Sequence, residues 1–242
     1  MNKAIQEKST YQIVSDGSCD LPVELAKEKN IAVVPFYVSF DDTNYLKENV
    51  EIGIRDFYRQ MVERKGVYPK SSMPSAQDYT EVFQPYVQAG IPVICICITT
   101  KFSGSMQSAL NAREMMLETN PEAQITVIDS TVDTVLQGQY VLEAAAMRDS
   151  GMGYEETVAR LEEIKSTGRI FFTVGNMEYL QHGGRIGKVA AVAGSVLGIR
   201  PIITLKQGEI FPSGIGRGRK HTTEKTIGLL LDYLAEGGKK ID

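Results

Sequence analysis

The sequence predicts an α/β protein in two parts: a three-layer domain built on a parallel sheet, residues 1–166, and a smaller α+β domain, residues 167–242. Three observations carry this. Through the first part, short apolar runs alternate with helical segments, the pattern of parallel strands joined by crossover helices. Beyond Arg169 the texture changes to short paired strands. The 242 residues are enough to bury a core without disulfides or a structural metal.

Each element has its own signal. "YQIVSDGSCDLPVELAKEK" reads as an apolar strand, a polar turn, and a helix with Asp20 as N-cap and Pro22 in its first turn. "NIAVVPFYVSF" is a second strand. "AQDYTEVFQPYVQAG" is helical and stops at Gly90, "IPVICICI" is a buried strand, "SMQSALNAREMMLE" is helical, and "AQITVID" is a strand again. A helical zone from Val132 to Ser166, broken at "SGMGY", closes the first domain. The second has strands in "RIFFTV" and "RPIITLKQGEIF" with a Gln-Gly turn, a glycine-rich helical stretch, and the amphipathic "TTEKTIGLLLDYLAEGG". Because the chain stops at "KKID", where another strand is expected, this domain is expected to lack its C-terminal end.

Composition excludes several functions. With 26 basic and 30 acidic residues and a net charge of −4, the chain has no global field to draw nucleic acid or an anionic membrane. The start "MNKAIQEKST" has no apolar signal core, and no run of about 18 uncharged apolar residues spans a bilayer. Three cysteines, two of them in an apolar strand, read as buried thiols of a cytoplasmic protein.

Four polar turns fall at strand ends or helix starts, where ligands of open α/β sheets bind. They are "SDGSCD" with Ser15 and Asp16, "KSSMPS" with Ser71 and Ser72, "TTKFSGSMQS" with Ser103 and Gly104, and "DSTVDT" with Asp129 and Ser130. The plain alternative for each is helix capping, since Ser, Thr and Asp are favoured N-caps. A nucleophilic serine needs a base, yet the two histidines, His182 and His221, lie far along the chain, and "FSGSM" is not a G-x-S-x-G elbow. "GGRIGK" lacks the phosphate-loop spacing. Cys95 and Cys97 share a strand face without a second pair to complete a zinc set. Asp16, Asp129 and Asp133 suit magnesium no better than they suit capping, so neither metal nor cofactor is expected. Arg185 in "GGRIG" and Arg217 in "GRGRK" sit among glycines, exposed for phosphate or carboxylate.

"SDGSCDLP", "KSSMPSAQDY", "TTKFSGSMQSA", "VIDST", "LQHGGRIGK" and "LGIRPIITLKQGEI" followed by "RGRK" occur in an order that resembles the DegV family of bacterial fatty-acid-binding proteins, over nearly the whole chain. The resemblance implies a two-domain DegV-like α/β fold holding a long-chain fatty acid. It also implies a separate ATP-dependent fatty-acid kinase that makes an acyl phosphate, with no catalysis by the chain alone. By position, Ser71 and Ser103 look like the hydroxyls that bind the acyl carboxylate, with Gly104 at the same helix start. Arg185 and Arg217 look like the arginines of the phosphoryl-transfer face. The family more often has threonine at Ser71 and serine at Gly17, and a later family histidine has no counterpart before Asp242. The apolar runs "AAVAGSVLGI" and "FFTV" are expected to line the tunnel. The competing reading is an enzyme or kinase component acting on a small phosphorylated or keto substrate.

Overall fold

Val93-Ile94-Cys95-Ile96-Cys97 is apolar at every position because both faces of the strand are covered; all five residues are fully buried. The computed structural model describes residues 10–175, 177–192 and 199–237, and the chain divides into two units, Met1–Glu163 and Ile164–Asp242.

In the first unit, β1 (Gln12–Asp16), β2 (Ile31–Val34), β6 (Val93–Cys97) and β7 (Ile125–Asp129) form a parallel sheet in the order β2-β1-β6-β7. Ile13 is registered with Ile31 on one side and Ile94 on the other. The connecting helices are α1 (Val23–Glu28), α3 (Ala76–Gln88), α4 (Ser105–Thr119), α5 (Thr134–Asp149) and α6 (Tyr154–Ile164). Tyr79 and Phe83 of α3 and Ala109, Ala112 and Met116 of α4 cluster with Val14, Cys95 and Cys97. Ile94 and Ile96 point to the opposite face by the strand's alternation. α5 packs on β1 and on the 3-10 turn that follows it. The two Sγ atoms of Cys95 and Cys97 lie 3.8 Å apart inside this core.

Two details correct the sequence reading. Pro22, not Asp20, is the N-cap of α1, while Asp20 adopts a left-handed conformation (φ 51°) that ends the 3-10 turn Gly17–Cys19. "NIAVVPFYVSF" is not one strand, because Pro35 has no N–H for a ladder. The chain leaves the main sheet there, and β3 (Tyr37–Ser39) joins a separate antiparallel sheet of order β4-β3-β5 with β4 (Leu46–Lys47) and β5 (Lys70–Ser72). Between these lies α2 (Ile54–Glu63).

In the second unit β8 (Ile170–Thr173), β9 (Ile199–Lys206) and β10 (Glu209–Arg217) form an antiparallel sheet of order β10-β9-β8. Gln207 and Gly208, both at positive φ (52° and 81°), make the tight turn between β9 and β10. The short α7 (Glu178–His182) follows β8, and α8 (Arg219–Ala235) closes the unit, its Tyr233 hydroxyl donating to the Thr167 carbonyl at 2.7 Å. Of the expected tunnel segment "AAVAGSVLGI", residues 193–198 lie outside the described residues.

Candidate functional site

Asp16 ends β1 and is fully buried. A carboxylate in that position must be hydrogen-bonded, and the fold supplies four donors. Ser18 Oγ and Gln137 Nε2 (2.8 Å) bond Oδ1; the Ile98 N–H (3.0 Å) and Ser105 Oγ (2.8 Å) bond Oδ2. Since Ser105 donates to Asp16, the Tyr79 hydroxyl 2.7 Å away donates to Ser105. Ser15 Oγ donates to the Ile96 carbonyl at 2.8 Å. Burial pushes the Asp16 carboxyl above the usual range, against the pull of Ser18, Gln137, Ile98 and Ser105. Ser15 and Asp16, expected from the sequence to support a ligand, tie β1, β6, α4 and α5 together. Ser130 is likewise buried, its hydroxyl on the Val132 carbonyl at 3.1 Å. Asp129 accepts from Thr100 Oγ1 and the Thr131 N–H, both at 2.7 Å. These residues hold turns because strand ends in this sheet are deep, and a deep polar group must find its partner inside.

Ser71, Ser72 and Ser103 are placed differently. Ser71 and Ser72 are exposed on β5, and Ser103 is half-buried just before α4. Ser103 Oγ accepts from the Ser105 N–H at 3.2 Å, which leaves its own proton to donate outward. Gly104 is the N-cap and offers no side chain. A Cβ at Gly104 would stand 2.7 Å from the Met73 sulfur. Met73 of the "KSSMPS" turn therefore lies against the "KFSGSM" turn, and two stretches distant in sequence adjoin.

The "KSSMPS" turn is held by Asp78. Ser75 caps α3 in a reciprocal capping box with Asp78, and the Asp78 carboxylate also accepts from Tyr37 OH (2.9 Å) and Lys47 Nζ (2.8 Å). Burial alone would raise this carboxyl; Lys47, Ser75 and Tyr37 outweigh it and hold it down at about 2. Side chains from β3, β4 and α3 thus meet on one carboxylate, fixing the small sheet to the helix start.

The first unit contains a cavity of about 520 Å³, within the roughly 300–1,000 Å³ of small-molecule sites. Its wall is mainly apolar, with Leu21, Val33, Val38, Ile52 and Phe57 among the lining residues. One link joins it to the serines. Val38 lies directly opposite Ser71 in the β3–β5 ladder, so both side chains share a face.

Sequence reasoning missed Glu48. It lines the cavity, and its Oε1 accepts from the Phe36 N–H at 3.0 Å. Its carboxyl occupies the space where a Cβ on residue 17 would stand, so glycine at 17 gives it its seat. Burial pushes the Glu48 carboxyl up, opposed by the Phe36 N–H and reinforced by Asp20 and Asp16. Burial, then Asp20, pushes Asp133 up to about 6. The sequence signal was the departure from serine at Gly17; Glu48 itself reads as an ordinary loop residue.

Arg185, Arg217, His182 and His221 all belong to the second unit. Arg217 is exposed at the end of β10, and Arg185 Nη1 donates to the Gly183 carbonyl. Among the described residues no group of three His, Cys, Asp or Glu side chains is arranged to hold a metal ion, and no helix is long and apolar enough to cross a membrane.

A family model described as an uncharacterised protein, DegV family, matches residues 10–241. A DegV domain-containing protein of Caldanaerobacter subterraneus subsp. tengcongensis is 34% identical over 226 residues, 93% of this chain and 77% of that protein. Among solved structures, a fat acid (stearic acid)-binding protein from Eubacterium ventriosum is similar with a TM-score of 0.90 and 41% identity, over 94% of this chain and 78% of that one. A DegV family protein from Thermus thermophilus, described by its fatty acid binding, is similar with a TM-score of 0.82 and 28% identity, over 92% and 77% of the two chains.

Proposed function

The chain belongs to the DegV family, and from that premise we propose that it binds a long-chain fatty acid. The acyl chain occupies the apolar cavity of the first unit, and Ser71, Ser103 and the helix start at Gly104 hold its carboxylate. The observation that carries this reading is the pairing of Val38, which lines the apolar cavity, with Ser71 on one face of the β3–β5 ladder. Each buried methylene contributes about 0.8 kcal/mol, so the tail supplies affinity while charge-assisted bonds at the carboxylate fix its direction. Ser72, next in the strand and opposite Tyr37, points to the other face of the small sheet.

The hydroxyls suit binding rather than hydrolysis, since catalysis by serine requires a base. In the finer form of the proposal the protein is a carrier without activity of its own, and a separate ATP-dependent kinase phosphorylates the bound carboxylate. Arg185 and Arg217 then neutralise charge on the transferring group, as arginines do in phosphoryl transfer. This kinase step rests on the sequence resemblance. The apolar lining and the internal bonds of Asp16 weigh against a small phosphorylated or keto substrate, which needs a polar cleft.

Mass spectrometry of denatured, purified protein tests the reading. A stoichiometric fatty acid is expected, or its uptake when stearate is supplied. Protein that carries none and takes up none contradicts the proposal.

A further inference from the structure

We propose that Met73 is an oxidation site that turns off fatty-acid binding: converting its thioether to the sulfoxide weakens the hold on the ligand carboxylate. This rests on the reading of Ser71, Ser103 and the helix start at Gly104 as the carboxylate site. Met73 lies in the same turn as Ser71. Its sulfur is 2.7 Å, and its terminal methyl carbon 3.3 Å, from where a Cβ on Gly104 would stand. The thioether therefore packs directly on the backbone of the residue that caps α4, next in sequence to Ser103. This is a contact by which the two serine turns adjoin. Met73 is also 46% exposed, and among the described methionines only Met115, at 45%, is comparably open. An oxidant in water reaches both.

A hydroperoxide supplies the oxygen. The sulfur lone pair attacks one peroxide oxygen, the O–O bond breaks and an S–O bond forms; sulfur loses two electrons and the peroxide is reduced to water or an alcohol. The product carries a strong hydrogen-bond acceptor where a soft apolar atom stood. On Gly104 that acceptor stands at the start of α4, whose first N–H groups have no partner within the helix. It competes there with a carboxylate for the same donors, and it enlarges a group already in contact with the Gly104 backbone. Met115 is the internal control. It is as exposed as Met73 but lies about three turns further along α4.

The test treats delipidated protein with hydrogen peroxide, reads each methionine by peptide mass spectrometry, and titrates stearate and methyl stearate. In the parent, oxidation of Met73 is expected to weaken stearate at least tenfold, with methyl stearate little changed and the thermal midpoint of the unliganded protein close to its untreated value. Methionine sulfoxide reductases A and B together are expected to restore stearate binding. Met73→Leu, which keeps an apolar contact without a sulfur, is expected to hold its own untreated affinity through peroxide, whereas Met115→Leu loses affinity as the parent does. Stearate affinity unchanged once Met73 is the sulfoxide, an equal loss in treated Met73→Leu, or Met73 left intact while Met115 is converted, each overturns the proposal. If untreated parent binds no stearate, the carboxylate-site reading fails, and the switch fails with it.

Discussion

Two sets of hydroxyls sit at strand-to-helix turns of the first unit, and they have opposite fates. Ser15, Ser18 and Ser105 surround Asp16, and each is engaged inside the protein. Ser71 and Ser72 are exposed, and Ser103 accepts a backbone bond while keeping its proton. The residue types are the same. What separates the two sets is whether a buried acceptor already claims the hydroxyl proton.

The comparison breaks first at Asp16. Asp16→Ala leaves the Ser105 hydroxyl and the Ile98 N–H without their acceptor, while Ser18 and Gln137 keep other partners, and a loss of about 2–5 kcal/mol is expected from buried donors left unsatisfied. A lowered urea midpoint measures it. A midpoint like the parent's would mean that the network does not support the fold. Asp78→Asn is expected to cost about 1.5–3 kcal/mol, the range for hydrogen bonds to a charged group. The folded Asp78 pKa of about 2 lies below the unfolded value of about 3.9. Its contribution is therefore present above about pH 4 and lost as pH falls through about 2, where parent and variant stabilities should converge.

Ser103→Ala sharpens the other side. Fatty-acid affinity should fall by about 1–3 kcal/mol, read by calorimetry, while the unliganded protein loses about 1 kcal/mol or less, as for a lost helix-start bond. Similar losses in stability and no loss in affinity would return Ser103 to the scaffold set. The smallest effect is expected at Asp133, whose carboxyl is raised to about 6 by burial and Asp20. A raised acid favours folding below its unfolded pKa of about 3.9, and that contribution is lost as pH rises through about 6. Asp133→Asn should thus gain about 1 kcal/mol at pH 7, with the difference vanishing below about pH 4; a loss at pH 7 would mean that the ionised form is the favoured one.

The parallel sheet was legible because its strands announce themselves. "IPVICICI" became β6, apolar throughout because both its faces are covered, and "AQITVID" became β7, the partly buried edge strand. The small sheet was not legible, as β4 has two residues and β3 and β5 three each, too few for any alternation to appear. Pro35 was the overlooked break. The serine turns could be found by composition, but not sorted: depth along a strand end, which separates Asp16 and Ser130 from Ser103, is a property of packing. Nor does local sequence bring Met73 to Gly104, or Glu48 to Gly17. Those contacts arise when the β3–β5 sheet folds back beside the carboxyl ends of β1 and β6.

The most direct measurement is stearate binding to the double variant Ser71→Ala, Ser103→Ala, beside methyl stearate, whose ester carries no charge. The account predicts that stearate weakens at least about tenfold, 1.4 kcal/mol, that methyl stearate changes little, and that the thermal midpoint of the unliganded protein stays close to the parent's. Stearate bound by the double variant as tightly as by the parent would contradict it and place the carboxylate elsewhere.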